Sequence, residues 1–230
     1  LLKCSDLRIE QGDFRLEADI EVGEGVTAVI GPSGGGKSTL LAVIGGFLEP
    51  VSGRIEVNGR DLGGLAPFER PVAQLFQDGN LFPHLTIAQN VALGIAPKLS
   101  KNPEQDARVT NVLARVGLEG HGNRRPGGLS GGQQSRAALA RVLVQDKPLV
   151  LLDEPFSALG PGLKAEMLVL AKEVLAADGR TLLMVTHDPT DAERVAGQVL
   201  LVAEGKVTGP HDRATLFADP PDALRDYLGD

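Results

Sequence analysis

The sequence predicts an α/β fold: a mixed central sheet with an antiparallel β element and an inserted helical subdomain. Three observations predict it. Residues 14–22 alternate strictly, with Phe14, Leu16, Ala18, Ile20 and Val22 apolar and Arg15, Glu17, Asp19 and Glu21 charged, the pattern of a strand with one buried face. Residues 26–30, 149–152 and 182–185 are instead nearly all apolar, which suits central strands of a parallel sheet covered on both sides. Between these runs, apolar residues recur at helical spacing.

The elements follow in order. After the strand at 14–22, Arg54, Ile55, Glu56 and Val57 form a second β piece that ends at the turn dipeptide Asn58-Gly59, so the N-terminal region holds an antiparallel element. The core strand at 26–30 runs into a glycine-rich turn and then a helical pattern over 39–44. In 103–116, Val109, Val112, Leu113 and Val116 share a face; Asn102 is the expected N-cap, Pro103 sits in the first turn and Gly117 stops the helix. A further helix is expected over 135–144. Over 163–177, Leu163, Met167, Leu170, Ala171 and Val174 make an apolar stripe, with Gly179 soon after. Segment 75–147 reads as mostly helical and separates the first core strand from the second. We therefore expect one domain over 1–230: an α/β core with its β subdomain over 1–74 and 148–230, and a helical insertion over 75–147.

Composition narrows the function classes. The 230 residues carry 23 Lys plus Arg against 30 Asp plus Glu, a net charge of -7, which argues against a chain built to coat nucleic acid or an anionic membrane. Hydrophobic residues, at 42%, suffice for a sizeable core. Aromatics, at 3%, are too few for base-stacking platforms. The single cysteine, Cys4, can form no intrachain disulfide and fits a reducing compartment. No apolar run approaches the ~20 residues of a membrane span, and no charged start followed by an apolar stretch marks a secretory signal. The expectation is a soluble cytoplasmic protein that meets a membrane only through a partner.

Residues 31–39 carry the first chemistry. Gly31, Gly36, Lys37 and Ser38 fit G-x-x-x-x-G-K-[ST], with a strand before and a helix after, as that motif requires. The loop Gly31, Pro32, Ser33, Gly34, Gly35 and Gly36 lets backbone N–H groups turn inward around a polyphosphate, and the helix start adds a positive dipole end. Lys37 can reach the β- and γ-phosphates, Ser38 can ligate Mg²⁺, and Thr39 can bond a further phosphate. The core strand at 149–152 ends in Asp153, Glu154 and Pro155. There Asp153 can hold Mg²⁺ through a water, and Glu154 can polarise an attacking water. In a third motif, Leu129-Ser130-Gly131-Gly132-Gln133, Ser130 is a natural N-cap and the glycines expose amides, giving a second anion site.

These three motifs, in this order and spacing, resemble the nucleotide-binding subunit of ABC transporters over essentially the full chain. The resemblance implies an α/β P-loop NTPase of ABC type that binds ATP with Mg²⁺ and hydrolyses it. It implies that Gln77, in Leu75-Phe76-Gln77-Asp78, is the glutamine that senses Mg²⁺ and the lytic water. Likewise His187, in Val185-Thr186-His187-Asp188, is the switch histidine that contacts the γ-phosphate. Alone, each would pass for an ordinary loop glutamine or capped strand-end histidine. Such domains pair head to tail, so that each ATP lies between the P-loop of one copy and Ser130, Gly131, Gly132 and Gln133 of the other. A homodimer is then expected, at the cytoplasmic face of the inner membrane, bound to integral membrane permease subunits and through them to a periplasmic binding protein, with no nucleic acid.

Within the family the chain is most similar to the ATPases of bacterial thiamine importers. The residues that carry this are Gly45-Gly46-Phe47-Leu48-Glu49-Pro50, Arg70-Pro71-Val72, the stretch 75–94 and the closing Leu182-Leu183-Met184-Val185-Thr186-His187. Only some 25 residues follow Gly205, too few for the regulatory domain usual in the polyamine, maltose, iron or molybdate relatives. Polyamine, iron and amino-acid importers remain the alternatives, then a soluble ABC ATPase of DNA repair or translation. A P-loop kinase or GTPase leaves the motif at 129–133 unexplained. Three positions depart from the family pattern: Gly160 stands where aspartate is usual before Pro161, Gln11 stands where an aromatic usually stacks on adenine, with Phe14 nearby, and Ser135 replaces a glutamine. The membrane subunit is expected to dock near 78–86, where Leu81, Phe82, Pro83 and Leu85 form an apolar patch.

Overall fold

The computed structural model describes residues 1–76, 80–99, 102–176 and 179–228. The strands are β1 (Leu2–Gln11), β2 (Phe14–Val22), β3 (Gly25–Ile30), β4 (Ser52–Val57), β5 (Arg60–Asp61), β6 (Val72–Leu75), β7 (Leu149–Asp153), β8 (Thr181–Val185), β9 (Gln198–Ala203) and β10 (Lys206–Asp212). They form one sheet in the order β5-β4-β1-β2-β10-β9-β3-β8-β7-β6. From β9 to β6 every neighbour is parallel. The strands β5, β4, β1 and β2 pair antiparallel. β10 joins the halves, antiparallel to β9 and parallel to β2.

The apolar runs are central because both faces are covered. Val150 and Leu152 of β7, with Leu182 and Met184 of β8, face one core; Leu149, Leu151, Leu183 and Val185 face the other. The first core packs against α2 (Ile87–Ala92), α3 (Pro103–Arg115), α4 (Gly131–Leu143), α5 (Pro161–Ala171) and α6 (Pro189–Val195). The second packs α1 (Lys37–Gly45) onto the antiparallel half. Helices α7 (Arg213–Ala218) and α8 (Asp222–Leu228) close the chain.

Several boundaries shift for local reasons. The helix read over 39–44 begins at Lys37, and the one read from 135 begins at Gly131, because Ser130 caps it. Asn102 caps α3 as expected, accepting from the Glu104 N–H. The stripe over 163–177 starts at Pro161 and turns into a π-helical stretch at Lys172–Ala176. β1 escaped the periodicity reading because a bulge between Cys4 and Leu7, with Asp6 at φ 48°, breaks its alternation in mid-strand.

One buried cation anchors α1. Arg70, 2% exposed, donates from one guanidinium nitrogen to the Val43 and Ile44 carbonyls at 2.8 and 3.0 Å, and from Nε to the Leu65 carbonyl at 3.0 Å. It satisfies the carbonyls at the negative end of the helix. At the other end of α1, the carboxyl edge of the parallel strands gathers the loop after β3, the acids that end β7 and the histidine after β8, the edge where ligands bind in open α/β sheets.

Candidate functional site

The loop between β3 and α1 needs its glycines for backbone reasons. At Gly31, φ 143°, a Cβ would lie 2.0 Å from the Val202 carbonyl oxygen; at Gly36, φ 102°, it would lie 2.5 Å from the Phe14 ring. Pro32, Ser33 and Gly34 are exposed at the loop's crest, Gly35 and Thr39 are half-buried, and Gly36 and Lys37 are buried. Lys37 folds across the loop, its Nζ donating to the Gly31 and Pro32 carbonyls at 2.8 and 2.9 Å. Burial pulls its pKa below the usual lysine range, against the charges of Glu154 and Asp153. The amine is held where it can exchange carbonyl oxygens for phosphate oxygens with little movement.

Ser38 Oγ donates to Asp153 Oδ1 at 3.0 Å, joining the first motif to the second. Desolvation raises the Asp153 pKa and the Glu154 charge adds to that; the Ser38 hydrogen bond and the Lys37 charge oppose it. Glu154 adopts φ 44°, a costly conformation for a non-glycine residue, and its N–H donates to the Val185 carbonyl at 3.1 Å. Its Oε2 lies 3.2 Å from His187 Nδ1, so β7 and β8 present a carboxylate and an imidazole as a pair.

At the start of α4, Ser130 and Gln133 form a capping box. The Gln133 N–H donates to Ser130 Oγ at 3.3 Å, and the Ser130 N–H donates to Gln133 Oε1 at 3.0 Å. Ser130 is exposed, and a Cβ at Gly131 would meet nothing closer than a Leu159 methyl at 3.7 Å. A Cβ at Gly132 would press on Leu163 at 2.9 Å. Thus nothing among the described residues demands glycine at 131, and the helix start offers amides to an external anion. Among the described residues no hydrogen bond or ion pair joins 31–39 to 130–133. A cleft of about 920 Å³ is lined together by the α4 start, at Gly131 and Ser135, and by Glu154, Phe156 and His187.

Gln77 lies outside the described residues. Of the positions that depart from the family pattern, Gln11 is exposed, whereas Phe14 packs its ring against Gly36, so Phe14 is the aromatic beside the loop between β3 and α1. Gly160 stands at the N-cap of α5 with no side-chain cap, and Ser135 Oγ donates to the Gly131 carbonyl at 3.1 Å. Phe82 and Pro83 of the expected docking patch are exposed, while Leu81 packs on the core. Two positioning groups carried no motif and were missed. Buried Asn90 accepts from the Phe82 N–H at 2.7 Å and donates back to the Phe82 and Thr86 carbonyls; Arg141 donates to the Asn80 carbonyl at 2.6 Å.

Residues 15–157 match the family model described as ABC transporter. The chain is 59% identical over 231 residues to a protein of Cereibacter sphaeroides named thiamine import ATP-binding protein ThiQ, covering 100% of both chains. It is 46% identical to the protein of that name from Vibrio cholerae, covering 96% of this chain and 93% of that one. A solved dimeric ATP-binding cassette in a post-hydrolysis state with ADP and Pi superposes with TM-score 0.76 at 29% identity, over 93% of this chain and 99% of that one.

Proposed function

This chain belongs to the ABC transporter ATP-binding family, and from that membership we infer that it is the ATP-hydrolysing subunit of a thiamine importer. One observation carries the mechanism: the Lys37 loop, the Ser38–Asp153 pair and the Glu154–His187 pair converge on one sheet edge, while among the described residues no hydrogen bond or ion pair joins the Ser130 helix start to the Lys37 loop. Each chain thus holds two halves of different sites, and a second copy completes both.

In the closed pair, the loop Gly31, Pro32, Ser33, Gly34, Gly35 and Gly36 lines the triphosphate, donating from its backbone N–H groups other than that of Pro32, which has none, with Thr39 behind them. Lys37 trades its contacts with the Gly31 and Pro32 carbonyls for the β- and γ-phosphates. Ser130, Gly131, Gly132 and Gln133 of the second copy offer a hydroxyl and amides to the γ-phosphate. Glu154 orients a water and takes its proton as the water oxygen attacks the γ-phosphorus and ADP departs. His187, steadied by Glu154, contacts the γ-phosphate, and Gln77 monitors the water. Ser38 and Asp153, whose oxygens lie 3.0 Å apart, are a hard-oxygen pair that would hold Mg²⁺. The ion, when bound, neutralises charge that develops on the phosphate oxygens.

No helix among the described residues is long and apolar enough to cross a membrane. The names of its relatives support a place for the chain at the cytoplasmic face of the inner membrane, on integral permease subunits fed by a periplasmic binding protein. Exposed Phe47, Phe76 and Phe82, the first two in edge-to-face contact with centroids 5.7 Å apart, support a docking surface on that side of the insertion. Vesicles holding this chain with its native membrane partner should take up thiamine when ATP is supplied. Uptake of polyamine or iron in place of thiamine would overturn the assignment of substrate.

A further inference from the structure

His187 is flanked by residues that are tied down tightly. Thr186, 3% exposed, donates its hydroxyl to Asp191 Oδ2 at 2.7 Å. The same oxygen lies 2.6 Å from Lys164 Nζ. Asp191 is only 6% exposed, so its charge is met by the lysine and the hydroxyl rather than by water. Lys164 Nζ also lies 3.4 Å from Asp188 Oδ2, while the Asp188 N–H donates to Thr186 Oγ1 at 3.1 Å. Both neighbours of His187 in the chain are therefore held, yet the imidazole itself stays more than half exposed.

Lys164 sits in the first turn of α5, where its backbone N–H donates to the Gly160 carbonyl at 2.9 Å. Helix α5 begins where the loop that starts at Glu154 ends. Glu154 is thus joined to His187 twice: directly at 3.2 Å, and around the loop 154–160 through Lys164, Asp191 and Thr186. We propose that Lys164 is a positioning residue for ATP hydrolysis, fixing Asp191 and Thr186 so that His187 stands beside Glu154. The inference rests on the reading of Glu154 and His187 as hydrolytic groups. A nearly buried ion pair adds little stability compared with an apolar pair, so its value here lies in geometry.

The test is steady-state ATP hydrolysis by the full chain assembled with its membrane partner. Lys164→Met should lower kcat about tenfold or more while the KM for ATP moves less than about twofold, the mark of lost alignment rather than lost binding. Lys164→Arg, which keeps a cationic donor, should restore most of the rate. The double variant Lys164→Met with Asp191→Asn leaves no buried charge unpaired, should unfold near the parental temperature, and should still be slow; it decides the matter if the single variant fails to fold. A folded double variant with parental kcat would overturn the proposal, as would Lys164→Arg as slow as Lys164→Met, or a raised KM with kcat unchanged. In the same assay His187→Ala should be slow. Parental turnover in that variant would unseat the reading of the site itself, whereas a slow His187→Ala beside a fast double variant would overturn only the role of Lys164.

Discussion

Glu154 pays for its place. A positive φ at a carboxylate is strained, and the Val185 carbonyl and His187 imidazole hold it there. If that carboxylate takes the proton of the attacking water, Glu154→Gln should keep ATP affinity and lose turnover by roughly two orders of magnitude or more. Nucleotide titration and steady-state hydrolysis on the same preparation check this, and parental turnover would remove Glu154 from the role of base. Asp188 offers a pH test. Desolvation pushes its pKa up, but hydrogen bonds from the Thr190 N–H and hydroxyl and the charge of Lys164 outweigh that and hold it below the usual aspartate value. A carboxylate with a depressed pKa stabilises the fold above its unfolded pKa of about 3.9 and ceases to do so as pH falls through the folded value. Asp188→Ala should therefore melt below the parent at neutral pH, and the gap should narrow as pH drops under about 4. A gap that does not change with pH would mean that charge plays no part in the cap.

At the scale of elements, legibility followed periodicity and backbone demands. The strand at 14–22 could be read because one face is dry and the other wet, and the runs 26–30, 149–152 and 182–185 because both faces are dry. The loop at 31–36 could be read because its conformation excludes side chains, as the Val202 carbonyl beside Gly31 illustrates. What stayed hidden has a common cause. β1 carries the right residues, but a bulge moves them out of phase. Arg70, Asn90, Lys164 and Asp191 act through partners distant in sequence or through backbone carbonyls, and no local spacing announces such pairs. The phosphate loop and the acidic strand end were therefore visible in the chain as written, whereas the scaffold that aims His187 needed three dimensions. At Gln11, where the family pattern leads one to expect an aromatic, the resemblance left Phe14 as the substitute, and the hairpin turns Phe14 toward Gly36.

At the scale of the whole molecule, the proposed function needs a second copy, since among the described residues no hydrogen bond or ion pair joins 31–39 to 130–133. The Ser130 helix start is exposed, and a Cβ at Gly131 would meet nothing among the described residues closer than a Leu159 methyl at 3.7 Å. Two copies that share each site, as proposed, would account for both facts, and this chain is similar to solved dimeric ATP-binding cassettes. The sharpest test compares Ser130→Ala with the parent in two assays, ATP binding to the separated chain and turnover in the assembled transporter. A shared site predicts unchanged binding to the single chain and a loss of turnover of about tenfold or more, because an anion ligand is missing only when the pair closes. Equal losses in both assays, or no loss in either, would contradict it.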